Sequence, residues 1–170
     1  NSFKTKEETV NKKWSNVEKI YQKRANLIPN LENTVKSYSQ FEKETLTQVI
    51  EARSKATPIN IDPTNMTEAD MAKFQAAQGE LTGALSRLMA VVESYPNLKA
   101  DQQYLNFQRE YTAIENSIRS ETVYFNDAAQ DYNTTIKTFP NNILANFNNI
   151  KEKPYFKEKK KKKKAPEVFK

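Results

Sequence analysis

The chain has 170 residues, 37% of them hydrophobic, which suits one domain with a buried core. It holds no Cys and no His, and so excludes thiol nucleophiles, imidazole bases, disulfides and the commonest zinc ligands. The net charge of +6 is unevenly spread: residues 151–170 carry ten Lys and three Glu, while residues 1–150 carry 17 basic and 18 acidic side chains and lack the basic footprint of a nucleic-acid reader.

Only two glycines occur, and hairpin dipeptides of the Asn-Gly kind are absent, so the chain reads as long helices. No run of 18 apolar residues is present to span a bilayer, and Asn1 in place of Met implies that something upstream has been removed.

In chain order, Val10, Trp14, Val17, Tyr21, Ala25, Ile28, Leu31, Val35 and Tyr38 recur every three or four residues, continuing through Phe41, Leu46, Val49, Ala52 and Ala56. This is one buried stripe of an amphipathic helix over 4–56. Its register survives Pro29, which therefore predicts a kink or a one-turn break, with a hairpin there as the alternative. The Pro58 to Pro63 stretch ends this helix. Thr67 to Asp70 reads as a capping box, and Met66 and Met71 occupy the positions of a hydrophobic staple. The second helix carries two stripes. Met71, Phe74, Gln78, Leu81, Leu85, Leu88 and Val92 are mostly large, whereas Ala72, Ala76, Gly79, Gly83, Ser86 and Ala90 are small and predict close approach of another helix.

Tyr95-Pro96-Asn97 is a short stop with Asn97 as the expected N-cap, so the next helix, 97–139, runs antiparallel. Its stripe is Tyr104, Phe107, Tyr111, Ile114, Ile118, Phe125, Ala128, Tyr132, Ile136 and Phe139. Between Ile118 and Phe125 the apolar step falls on Glu121 or Thr122. That intrusion fits drift of the stripe to the surface, a paired buried charge or a partner site. Beyond Pro140, Ile143, Leu144, Phe147 and Ile150 are anchors expected to cover one end. The division is a helical bundle domain over 1–150 and a basic tail of little order over 151–170.

Several segments, in this order, resemble the LemA family: Trp14 to Glu18, Leu27 to Leu31, Thr34 to Lys36, Glu51 to Arg53, Gly79 to Ala100, Phe125 to Ala128, Asp131 to Asn133 and Lys153-Pro154-Tyr155-Phe156. The resemblance covers nearly the whole chain. It implies an antiparallel, usually four-helical bundle held on a bacterial membrane by one N-terminal hydrophobic segment, with no established molecular role. The chain lacks that segment and ends in a Lys run not associated with the family.

The fold expected is thus all-α, an elongated antiparallel up-and-down bundle of three to four long helices, depending on Pro29. No catalytic, cofactor or metal residues are assigned, and no enzyme is expected. Glu18, Glu51, Glu80, Glu93, Glu110, Glu115, Glu121, Asp127 and Asp131 read as solvated helix faces, with Glu115 and Arg119 as an i,i+4 pair. No Gly-rich phosphate loop exists, because both glycines belong to one helix. The one candidate site is a polyanion contact at Lys159, Lys160, Lys161, Lys162, Lys163 and Lys164. The functional expectation is a membrane-tethered scaffold or protein-interaction module with an unidentified protein partner. The alternative is association of the tail with anionic lipid or nucleic acid, without specific nucleic-acid recognition. Lys4, Lys6, Lys12 and Lys13 favour the cytoplasmic side for the bundle, a preference that an upstream flank could reverse.

Overall fold

The computed structural model describes residues 2–138 and 140–157. These residues are all-helical: α1 (Ser2–Lys36), α2 (Glu44–Ala56), α3 (Glu68–Val92), α4 (Pro96–Lys99), α5 (Gln102–Lys137) and α6 (Asn141–Phe147), with a 3-10 turn at Pro63–Asn65. Ion pairs of Lys6 with Asp131 and Arg24 with Glu115 set α1 antiparallel to α5. Lys55 with Glu80, and Arg87 with Gln48, set α2 antiparallel to α3.

The α1 stripe from Val10 to Val35 is buried throughout, as its spacing requires. Neither a break nor a reversal occurs at Pro29, whose exposed ring lies inside α1. Proline leaves the carbonyl four residues back without its helical donor. The Arg53 Nε of α2 donates to that Ala25 carbonyl at 3.0 Å. The expected single element over 4–56 is nevertheless corrected: the helix ends at Lys36 and the chain turns over 37–43 before α2. Buried Phe41 pins the turn, its ring 4.8 Å from that of Tyr95. From Phe41 to Leu46 is a step of five, which no helical stripe tolerates.

The start of α3 is as expected. Thr67 Oγ1 accepts from Asp70 N–H and Asp70 Oδ2 accepts from Thr67 N–H, both at 3.1 Å, and Met66 and Met71 are buried. Its large stripe is buried too. The small stripe is not: Ala72, Ala76, Ser86 and Ala90 are not buried, and no helix lies against the two glycines between them. A Cβ at Gly79 would meet nothing within 4 Å, and one at Gly83 only the Arg87 side chain at 3.4 Å. The expected close approach is absent. Asn97 lies inside α4 and is not a cap; Asp101 caps α5, its carboxylate accepting from Gln103 and Tyr104 N–H. On α5 the buried position is Ala129 rather than Ala128, and Phe139 lies outside the described residues.

The core falls into two halves. One gathers Ile28, Leu31 and Val35 with residues of α2, α3 and α5 around Leu85 and Leu88. The other centres on fully buried Trp14, edge-on to Phe74 and Phe125 at 5.0 and 5.3 Å. No α2 residue reaches this second half. At 13 residues α2 is about 20 Å long, against about 52 Å for α1. Ile61, Met66 and Phe156 from irregular segments fill the missing wall. Residues 153–157, which the expected division assigned to a tail of little order, pack on the bundle through Lys153, Pro154 and Phe156. The α6 anchors are also corrected: Ile143, Leu144 and Phe147 are 57%, 52% and 89% exposed, while Ala145 is the buried residue.

Candidate interaction site

Lys159 to Lys164 lie outside the described residues, so the polyanion contact has no structural counterpart here. What the described chain brings together is a polar layer between the two core halves. Arg24 is only 1% exposed. Its Nη1 donates to Thr82 Oγ1 at 2.6 Å and Glu115 Oε1 at 3.0 Å, and its Nη2 donates to the carbonyl and the Oε1 of Gln78, each at 3.0 Å. The guanidinium also lies 5.1 Å from the Tyr21 ring centre. Glu115 therefore pairs with Arg24, not with Arg119, which donates to Asn116 instead. A buried charge is tolerable only when paired and hydrogen-bonded; this one is paired and bonded through both terminal nitrogens, while its buried Nε has no partner among the described residues.

The stripe itself held the signal for this residue. Val17, Tyr21, Arg24 and Ile28 step by four, three and four, so position 24 belongs to the buried face as much as Ala25 does. Gln78 likewise sits among the large residues of α3.

Above this layer a groove of about 540 Å³ opens between α1, α3 and α5, with Gly79, Ile118, Thr122 and Val123 in its walls. The polar intrusion between Ile118 and Phe125 thus faces a cleft. Burial pushes the Tyr21 phenol up to about 12 against the opposing charge of Arg24. Burial, reinforced by Glu115, does the same to Tyr111. Both phenols stay protonated at neutral pH and offer no base. A smaller cavity of about 250 Å³ holds Glu18, whose carboxyl is raised by burial and partly relieved by the backbone of Ile61. Its other lining residues are amides, hydroxyls and apolar groups, with no second carboxylate and no cation. Among the described residues no group of three His, Cys, Asp or Glu could hold a metal ion.

One edge of the larger groove is formed by Phe156 and Lys157 of a non-helical strap, 153–157, which has its own seat beside the groove. Three side-chain carboxamides each grip one strap residue by both backbone groups. Asn133 accepts from Lys153 N–H at 2.7 Å and donates to its carbonyl at 2.9 Å. Asn126 does so with Phe156 at 2.7 and 2.7 Å. Gln75 completes the set with Lys157 at 2.9 and 2.6 Å. Each pair copies one rung of a β ladder, with an amide side chain in place of a neighbouring strand. Pro154 is buried, and the Phe156 ring stacks on Tyr21 at 6.2 Å. Buried Lys153 Nζ donates to the Pro63 carbonyl at 2.8 Å and lies 3.8 Å from Glu7. Desolvation draws this ammonium below its ordinary range, with Glu7 and Asp62 opposing.

Two of these carboxamides, Asn126 and Asn133, and the Lys153 to Phe156 run all lie in segments quoted above for a family resemblance, so that pattern converges here in space. The LemA family model matches residues 13–169. Magnetosome protein MamQ 2 of Paramagnetospirillum magneticum is 28% identical over 94% of this chain and 65% of its own length. Magnetosome protein MamQ of Magnetospirillum gryphiswaldense is 27% identical over the same shares. Protein LemA of Metamycoplasma hominis is 32% identical over 72% of this chain and 52% of its own length. The chain thus spans about two thirds or less of these relatives. No helix among the described residues is long and apolar enough to cross a membrane.

Proposed function

The chain belongs to the LemA family, and from that footing we propose that it is a membrane-tethered scaffold: an elongated antiparallel up-and-down bundle that binds other proteins and turns over no substrate. The observation that carries this reading is the open groove beside Arg24, at whose edge Gln75 and Asn126, with Asn133 further along, hold a strap of polypeptide backbone. Carboxamides read backbone N–H and C=O and are largely indifferent to side chains, which suits recognition of polypeptide. Arg24 has both terminal nitrogens committed to protein acceptors, so its role is to hold α1, α3 and α5 in register. The tether is the N-terminal hydrophobic segment that the family resemblance implies, upstream of α1.

A photo-crosslinking residue at Thr122, in the groove wall, tests the reading in cells. A discrete adduct to another protein is expected, and it should persist when Lys159 to Lys164 are all changed to Gln. Absence of any adduct, or its loss with the lysines, would count against the groove.

A second reading follows from charge placement: ten Lys against three Glu in 151–170, beside a near-neutral 1–150. Anionic lipid would meet this segment, with each lysine near the surface contributing about 1 kcal/mol. Flotation with anionic vesicles should show weak binding that fades with salt and disappears in the six-fold Lys→Gln chain. Equal flotation of that variant would locate the affinity on the bundle.

A further inference from the structure

We propose that the seat beside the groove, formed by Gln75, Asn126 and Asn133, also takes the 153–157 strap of a second copy of this chain, so that copies are joined by exchanged straps. The proposal rests on the reading of the groove as a polypeptide-binding site and names the partner.

The first ground is complementarity. The strap's seat fits this segment along its length: a socket for Lys153 between the Pro63 carbonyl and Glu7, cover for Pro154, and aromatic faces of Tyr21 and Phe74 for Phe156. Every copy carries the same key, and contacts made in trans are identical to those made in cis. The second ground is the connection. The strap is joined to α6 by residues 148–152 alone, and the chain reverses there through Asn149 at φ 55°, where Ile150 N–H caps the Ala145 carbonyl at 2.8 Å. Left-handed backbone is a mild strain for Asn, and a change to extended backbone at that residue would redirect the strap from its own seat. The third ground is α6 itself, which buries only Ala145 and leaves Ile143, Leu144 and Phe147 exposed beside the hinge. Among the described residues nothing buries that apolar face, and a neighbour's bundle drawn close would cover it.

Mass action sets when exchange occurs. A strap on a short tether sees its own seat at about millimolar effective concentration, so dilute protein keeps it in cis. Crowding of copies on one surface lets the trans arrangement compete.

The absence of cysteine makes the test clean. Full chains carrying Gln75→Cys are mixed with full chains carrying Lys157→Cys and treated with a short bismaleimide over a range of protein concentrations. The expected result is a hetero-crosslinked dimer that grows with concentration and exceeds, several-fold, that from exposed Ser86→Cys mixed with Lys157→Cys. It should fall to the control level when Asn126→Ala and Phe156→Ala are added. A chain bearing both Gln75→Cys and Lys157→Cys reports the cis contact. An internal crosslink without a hetero-crosslink above control would overturn the exchange and leave the groove standing. Absence of the internal crosslink as well would sink both.

Discussion

At the residue scale the decisive group is Arg24, a charge set in the middle of an apolar seam. Arg24→Ala leaves a void at a fully buried position and strips the Gln78 acceptors of their donor, so it should destabilise the fold by about 2–4 kcal/mol in urea titrations. Glu115→Gln keeps an acceptor at the half-open end of the pair and should cost less, about 1–2 kcal/mol. Equal effects would mean that the layer is hydrated rather than dry. The two glycines of α3 have the opposite sign. With no backbone near either, Gly79→Ala and Gly83→Ala should each raise stability by about 1 kcal/mol through helix propensity, read as a higher melting temperature. A fall would restore the close approach that the small stripe implied. That stripe misled because small residues at helical spacing look the same on a packed and on an exposed face. Arg24, by contrast, was legible in the 17, 21, 24, 28 spacing but hidden by Ala25 beside it.

At the element scale, Pro29 and Arg53 act together. Proline strips a donor from the Ala25 carbonyl on α1, and Arg53 of α2 supplies one, tying the two helices at that level. Arg53→Met should cost about 1.5–3 kcal/mol with Pro29 in place, as expected for a hydrogen bond from a charged donor. In a Pro29→Ala background the restored backbone N–H satisfies the carbonyl, and the cost should shrink. A double-mutant cycle with no coupling would refute the link. The cap of α5 carries a pH dependence. The Tyr38 hydroxyl first, then the N–H groups of Gln103 and Tyr104, hold the Asp101 carboxyl below its ordinary range. A folded-state value below the unfolded one contributes stability above the ordinary carboxylate range and loses it as pH falls through the lowered value. Asp101→Ala should therefore cost about 1 kcal/mol at neutral pH and flatten the acid limb of a melting-temperature profile. Helix identity and the α3 capping box were legible because they rest on local periodicity and local hydrogen bonds. The turn at 37–43 was not, because it contains no Gly or Pro; its trace was the five-residue step from Phe41 to Leu46.

At the scale of the whole molecule, α2 is too short to line the full length of α1, and the strap with the 57–66 loop fills the space. The boundary expected at residue 150 followed composition, since lysines crowd beyond it. Composition could not show that Asn126, Asn133 and Gln75, ordinary polar positions on two helices, align to receive a backbone. Whether the three carboxamides grip the strap is open to direct measurement by amide hydrogen exchange on the full-length chain. Lys153, Phe156 and Lys157 N–H should be protected relative to Tyr155, whose N–H meets none of the three carboxamides, and Asn126→Ala should remove the protection at Phe156. Uniform, unprotected exchange across residues 151–157 would contradict the strap, the groove and the reading built on them.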